Sequence, residues 1–335
     1  MDKIKIFDHP WHIGHQYEQL KFPWAKWYWL RNFLRKYNNG PRGDITKYFD
    51  WVDEYEPGKY DVAILHLDQG CLEKDILERG KGSMYRVLNE VITDIPKIVI
   101  MHGTPYYPEK FENPQVMIDK VNELLGDNYA LVNSHRALKQ WGWENRHGAR
   151  TIIHGMDASE WRDLPKEPRV VTMISPGGFP AYYDRTFLDY VKDGLEQRDI
   201  YHCHITVDWE AQSFDDYRDF LGRSLIYFNP TRESPMPRSR TEAMLSGACV
   251  LTTPHQDADT FIKDGVNGFL VKRNPEAVVD LIEELINDPQ RAIKIGQEGK
   301  KTAIELFNWD RYEKEWHEYV TWVINDYKEK HGKRL

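Results

Sequence analysis

Residues 227–253 read YFNPTRESPMPRSRTEAMLSGACVLTT, and this stretch sets the pattern for the whole chain. An apolar run at 225–228 ends in a loop that carries Glu233 and is stiffened by Pro235 and Pro237. A helical stretch then bears Glu242 within Thr241-Glu242-Ala243-Met244, stops at Gly247, and yields to a new apolar run at 250–252. Strand, loop, helix, glycine, strand: this is the repeating unit of a parallel α/β sheet.

Runs of the same kind recur at 4–7, 62–67, 98–101, 130–132 and 151–153, and again at 170–174, 200–205 and 268–271. They are short and do not alternate, as strands buried on both faces of a parallel sheet should be. Segments such as 114–125 and 185–195 are long enough for crossover helices. The expected fold class is therefore α/β, with two doubly wound, Rossmann-like domains that bind ligands beyond the carboxyl ends of their strands. Asp157, Pro165, Lys166, Glu167 and Pro168 gather in a polar stretch at 156–168, which places the boundary there. The expected domains are 1–160 and 161–308. Residues 309–335 should form a helix free to cross back to the first domain, with Tyr312, Trp316, Tyr319, Val320 and Val323 on one face.

A length of 335 residues suits two domains. With 41% hydrophobic and 29% charged residues, the chain is neither disordered nor collagen-like nor a coiled coil. No run approaches the ~18 apolar residues of a membrane span. The first residues interrupt their apolar positions with charge and proline, unlike a signal peptide. A net charge of -8 argues against a generic nucleic-acid coat or a uniformly basic membrane binder, and no dedicated nucleic-acid module is recognised. Cys71, Cys203 and Cys249 are scattered without a C-x-x-C, which disfavours a disulfide scaffold or cysteine zinc site and suits a reducing cytoplasm. The 12 tryptophans serve either as core packing or as flat surfaces for sugar rings and bases.

Three motifs carry a resemblance: the 227–253 segment, TIIHGMDASEW at 151–161, and DGVNGFLV at 264–271. Together they resemble the retaining glycosyltransferases of the GT-B fold, the "group 1" (glycogen synthase- and mannosyltransferase-like) family. The match covers 150–160 and 225–310; the first 95 residues share only the coarse pattern. The resemblance implies a nucleotide-diphosphate sugar as donor, bound mainly by the second domain, and a hydroxyl acceptor on the first. In that family seven residues separate two glutamates. Here eight lie between Glu233 and Glu242, and Ser234 holds the strictly spaced position. Either Glu233 or Ser234 then faces the donor sugar.

By the same resemblance Glu242 accepts the ribose hydroxyls, as acidic residues do in dinucleotide folds. Backbone N–H groups at Met236, Arg238 and Ser239 would face phosphate at a helix amino end. Gly177 and Gly178 would let the backbone approach the diphosphate. Arg185, completed by Arg232 or Arg238, would clamp it, or Arg185 is a solvated surface charge. His102, in Met101-His102-Gly103-Thr104 after a buried strand, would stand near the reacting sugar, or is satisfied in a strand-end turn. Gly14 and His15 resemble the family's glycine-bearing first loop, which implies Gly14 against the donor and His15 toward the acceptor. His12, Gly14 and His15 form an H-x-G-H, but no third ligand has credible spacing for a metal. Asp257-Ala258-Asp259 reads as a loop rather than a cation site, so no metal or other cofactor is expected.

Residues 19–43 hold Lys21, Lys26, Arg31, Arg35, Lys36 and Arg42 with no acidic residue, among Phe22, Trp24, Trp27, Tyr28, Trp29, Phe33 and Leu34. They form either a first-domain helix with a solvated basic face or a surface for an anionic or membrane-associated acceptor, with Lys26, Arg31 and Arg35 as its cations. The resulting expectation is a cytoplasmic, metal-independent transferase, cytoplasmic at large or peripheral at a membrane. The alternatives are a GT-B sugar-nucleotide epimerase and a catalytically silent nucleotide- or sugar-binding protein.

Overall fold

The computed structural model describes residues 2–31, 42, 44–72, 81–107, 111–174, 182–205 and 213–332. Contacts divide the chain into two units, one of Met1–Asn39, Asp44–His154 and Asp310–Leu335, the other of Gly40–Gly43 and Gly155–Trp309.

The first unit is built on β1 (Ile4–Asp8), α1 (Ile13–Leu20), β2 (Ala25–Leu30), β3 (Phe49–Val52), β4 (Val62–Leu67), α2 (Lys81–Val91), β5 (Lys97–Met101), α3 (Pro114–Leu125), β6 (Tyr129–Val132), α4 (His135–Gln140) and β7 (Arg150–Thr151). Its strands follow the order β3-β2-β1-β4-β5-β6-β7, and each neighbouring pair is parallel. All six residues of β4 are buried, as the unbroken apolar run required. The chain leaves β1 toward β2 and β3, then returns to the other side of β1 for β4. That reversal is a topological switch point, where the carboxyl ends of β1 and β4 leave a crevice.

Two strands differ from the sequence expectation. Residues 19–43 do not begin as a basic helix: 25–30 form β2, paired in register with β1 from Ile4↔Ala25 to Asp8↔Trp29. In AKWYWL Lys26 is exposed while Trp27, Tyr28 and Trp29 are buried, and aromatic side chains favour a pleated surface. Beyond it, β3 and the residue after it bring Asp50 and Asp53 beside the cations: Lys26 pairs with Asp50 at 3.2 Å and Arg31 with Asp53 at 3.1 Å. The run that is purely basic in sequence is thus partly neutralised by its neighbouring strand. Arg35 and Lys36 lie outside the described residues.

The second unit contains β8 (Glu167–Met173), α5 (Arg185–Glu196), β9 (His202–Ile205), α6 (Phe214–Arg223), β10 (Ser224–Asn229), α7 (Arg238–Leu245), β11 (Cys249–Thr252), α8 (Ala258–Phe261), β12 (Phe269–Leu270), α9 (Pro275–Asn287) and α10 (Pro289–Leu306). Its parallel sheet runs β12-β11-β10-β8-β9, over a core that includes Val170, Val191, Ile226, Phe228, Leu251 and Ile282. Asp184, Ser213, Asn274 and Asp288 cap α5, α6, α9 and α10 through their side chains. The DGVNGFLV segment is architectural. Asn267 accepts from Lys263 N and donates to Phe261 O and Thr302 Oγ1, while Asp264 accepts from Leu270 N. Gly268 adopts φ 153°, where a Cβ would also lie 3.0 Å from Val250 O, so the turn into β12 needs glycine.

The last helix, α11 (Trp309–His331), buries Tyr312, Trp316, Tyr319, Val320 and Val323. It belongs to the first unit, where Tyr312 receives a hydrogen bond from Gln19 at 3.0 Å and His317 stacks on Trp24. Among the described residues, no helix is long and apolar enough to cross a membrane.

Candidate functional site

In the second unit, β10 ends at Asn229 beside β8, at that sheet's own reversal of strand order. The loop that follows delivers Glu233 and Ser234 before α7 opens at Arg238. Pro237 occupies the N-cap of α7 without a side-chain cap, unlike α5, α6, α9 and α10. Glu242 stands one turn into α7 and is 2% exposed. Its Oε1 forms an ion pair with Arg42, and its Oε2 accepts from the Tyr217 hydroxyl at 2.5 Å. The Arg42 guanidinium lies over three rings, at 5.4 Å from Trp161, 4.8 Å from Phe214 and 5.9 Å from Tyr217. A buried carboxylate needs both a counter-charge and hydrogen bonds, and Arg42 and Tyr217 supply them to Glu242. Burial and the Glu242 charge hold the Tyr217 phenol well above its ordinary range, so it stays a donor.

Glu233 and Ser234 turn to different partners. Glu233 accepts from Gln256 Nε2 at 2.8 Å, whereas Ser234 hydrogen-bonds the Tyr183 phenol. Gln256 is buried and holds φ 44°, a left-handed conformation that costs a non-glycine residue about 1–3 kcal/mol. Met236 accepts at Sδ from Arg240 Nη2 at 3.1 Å. Arg240 is fully buried and reaches His255 Nε2 at 2.8 Å, and His255 Nδ1 meets Thr253 O at 2.6 Å. The carbonyl can only accept, so His255 carries its hydrogen on Nδ1 and receives Arg240 on Nε2. Burial and the Arg240 charge push His255 far down, and burial lowers Arg240 to about 10.

Arg238 is buried at the start of α7, and Arg185 is exposed at the first position of α5. Arg232 and Arg273 both pair with Asp184, at 3.2 and 2.9 Å. Gly177 and Gly178 lie outside the described residues. Asp257 and Asp259 do not sit in an open loop: Asp257 is the buried N-cap of α8, and Asp259 lies in its first turn. Among the described residues, no three His, Cys, Asp or Glu side chains are grouped to hold a metal ion.

In the first unit, the carboxyl ends of β1, β4 and β5 bring Asp8, His66 and His102 together. His66 Nε2 lies 2.9 Å from Asp8 Oδ1, and His66 Nδ1 lies 2.9 Å from His102 Nε2. Asp8 also accepts from His9 N at 2.7 Å and from Gln16 Nε2 at 2.9 Å. Trp11 stacks on both imidazoles, with centroids 5.5 Å from His66 and 5.4 Å from His102 and interplanar angles of 18° and 17°. His15 meets His102 edge-on at 5.0 Å. Gly14 and His15 are not in a loop, as the sequence suggested, but in the first turn of α1. The reason is Gln16, whose Oε1 accepts from Trp11 N and His12 N and so closes the helix start from within.

Sequence reasoning singled out Glu242 and His102 but missed their closest partners, Arg42, Tyr217, Asp8, Gln16 and His66. One signal was available. His66 is the single polar residue of VAILHL, and a polar group in a strand buried on both faces must find a partner.

Residues 200–302 match the family model described as "Glycosyl transferases group 1". An uncharacterised glycosyltransferase of Methanocaldococcus jannaschii is 32% identical over 88 residues, 26% of this chain and 22% of that protein. The match therefore spans less than a quarter of that relative's length. The crystal structure of Anabaena HepE in complex with UDP and glucose superposes with a TM-score of 0.66 at 13% identity, covering 95% of this chain and 99% of that one. Sucrose-phosphate synthase from Thermosynechococcus elongatus gives 0.66 at 13% identity, over 97% and 100% of the two chains. At such identities the superpositions speak for fold alone.

Proposed function

We propose that the chain is a group 1 glycosyltransferase, a reading supported by the family match over residues 200–302 and by two parallel sheets of GT-B architecture. From that premise we propose that it transfers a sugar, with retention, from a nucleoside-diphosphate sugar to a hydroxyl acceptor. The observation that carries this reading is the family match over the segment that holds Glu233, α7 and Glu242. HepE, which shares the fold, holds UDP and glucose in its crystal structure, so uridine-diphosphate sugars are the first donors to test.

In this reading Glu242 takes the ribose hydroxyls and exchanges its bonds to Arg42 and Tyr217 for them. Backbone N–H groups at Met236, Arg238 and Ser239 face the diphosphate at the start of α7, where the helix dipole favours negative charge. Gly177, Gly178 and Arg185 complete the phosphate site, and Glu233 or Ser234 orients the donor sugar. His102 meets the sugar's reacting face, beside Gly14 and His15. Lys26 and Arg31, with Arg35, meet an anionic or membrane-associated acceptor. N–H groups and guanidinium ions stabilise the leaving nucleotide, so no metal is required. The reaction takes place in the cytoplasm.

The test is a panel of nucleotide sugars, read by release of nucleotide with and without hydroxyl acceptors, in the presence and absence of EDTA. Acceptor-dependent release that survives EDTA supports the proposal. A new nucleotide sugar formed without acceptor means epimerisation instead. The Arg42–Glu242 pair favours one rival, a silent nucleotide-binding protein whose carboxylate is already engaged; binding without turnover across the panel selects it.

A further inference from the structure

The first unit holds a cavity at the amino ends of β5 and β6, the opposite edge of the sheet from His102. Its volume is about 750 Å³, within the range of small-molecule sites. Lys97, the first residue of β5, and Arg146, shortly before β7, both line it. Lys97 Nζ donates to Asn89 O at 2.8 Å and to Ile92 O at 2.9 Å. Arg146 Nη2 donates to Gly126 O and, at 3.2 Å, to Asn128 O. Asn128 Nδ2 donates to Asn89 Oδ1 at 2.8 Å, which ties the two anchors into one framework.

Carbonyl oxygens fix these cations in place but bring no full negative charge. Among the described residues neither cation forms an ion pair, and Asp127, which also lines the cavity, acts on Arg146 through space alone. Burial pushes the Lys97 ammonium and the Arg146 guanidinium below their ordinary values, because both charges are poorly solvated. Donors remain as well. Lys97 uses two of its three N–H groups. Among the described residues Arg146 Nη1 makes no bond, and its Nε is buried without a partner. Lys330, the third cation, is neutralised by Asp326 at 2.8 Å; that carboxylate also accepts from Tyr129 at 2.6 Å and meets His147 Nε2 at 3.0 Å. The rest of the lining includes Ile92, Ile95 and Pro96, and the Tyr327 and His331 rings, which stack at 4.1 Å.

We propose that this cavity binds a small phosphate monoester, its phosphate on Lys97 and Arg146 and its organic body against Ile92, Ile95 and the Tyr327–His331 stack. A phosphate monoester carries about -1.5 to -2 charges near pH 7 and three acceptor oxygens. That matches two unneutralised cations with spare donors, one of them a guanidinium suited to phosphate. A carboxylate brings one charge and two oxygens, and leaves more of those donors unspent. The assignment does not rest on the glycosyltransferase reading, since none of these residues belongs to that site.

The experiment titrates the full chain with phenyl phosphate at constant ionic strength, beside inorganic phosphate, benzoate and phenol. Isoleucine methyl spectra of the wild type locate the probe, and calorimetry gives its affinity. Phenyl phosphate should shift the Ile92 and Ile95 methyls and bind about tenfold more tightly than benzoate, phenol or inorganic phosphate. Lys97→Met and Arg146→Met should each weaken it about tenfold, the worth of one charge-assisted hydrogen bond. Ile92 and Ile95 methyls that stay still under saturating phenyl phosphate overturn the proposal, whether or not the variants fold. Folded variants that keep the wild-type affinity overturn it too. Benzoate that binds as tightly makes this a carboxylate site, and inorganic phosphate that does so makes free phosphate the ligand; either result removes the monoester.

Discussion

Each unit buries a carboxylate near the carboxyl end of its sheet, and the two are held by different chemistry. Glu242 faces a guanidinium and a phenol. Asp8 faces an imidazole, an amide and a backbone N–H. The first is a buried ion pair whose members depend on one another. The second is a charge dispersed over three donors. Their origins in the chain differ as well. Glu233 and Glu242 come from consecutive elements, β10, a loop and α7, whereas Asp8, Gln16, His66 and His102 come from three strands and a helix. A site made of neighbours in sequence leaves a motif; a site assembled by strand order does not.

This contrast can be broken by stability measurements. Glu242→Ala should cost about 3–5 kcal/mol, because it removes the counter-charge that Glu242 gives the buried Arg42. Removing both charges together, as Glu242→Leu with Arg42→Met, should recover most of that loss. Urea midpoints decide it, and a double variant no more stable than Glu242→Ala would contradict the ion-pair account. Trp29→Ala should cost a similar ~3–5 kcal/mol, since the ring is fully buried in β2 and stacks on Phe49 at 4.3 Å. Asp8→Asn removes a charge but keeps an acceptor, so its cost should be smaller, about 1–3 kcal/mol. If Asp8→Asn proves as damaging as Glu242→Ala, the two carboxylates are held alike after all.

Acid should act on the second unit through two histidines. His202 is pushed down to about 3 by burial, then by Lys192 and His204, and His255 is pushed far down by burial and Arg240. Both remain neutral when folded but bind a proton when unfolded, below their ordinary pKa of about 6.5. The unfolded state therefore gains protons that the folded state does not, and stability falls as pH drops through that value. Each histidine contributes at most about 1.4 kcal/mol per pH unit. His255→Gln should flatten the slope of stability against pH between about 6 and 4, as read in urea titrations; an unchanged slope would show that the Arg240–His255 contact does not keep the ring neutral.

The smallest effect belongs to the exposed pairs on β2 and β3. Lys26→Ala and Arg31→Ala should each change stability by no more than about 1 kcal/mol, because their partners are solvated. Nucleotide affinity in calorimetry should not move. A rise in acceptor KM in these variants, reproduced by added salt in the wild type, would mark the edge as an acceptor surface.

What the sequence by itself determined was whatever rests on short-range periodicity. Among the described residues the apolar runs placed ten of twelve strands, and Pro114–Leu125 was legible as a helix from its length and apolar spacing. DGVNGFLV was legible because its turn admits few residues: Gly268 for its φ, and Asn267 for the three bonds it makes. β2 was misread because tryptophan and tyrosine suit a helix face or a pleated sheet, and only its partner, β1, selects one. Nor could 19–43 alone show that Asp50, in β3, and Asp53, just after it, would pair with Lys26 and Arg31. The tertiary structure alone decided that Arg42 would meet Glu242, 200 positions away, and that His66 would join Asp8 to His102 across separations of 58 and 36. Local sequence sets backbone conformation through propensity and period. Which buried polar groups meet is set by the order of strands in the sheet, and there the cost of leaving a buried donor or acceptor unpaired selects the partners.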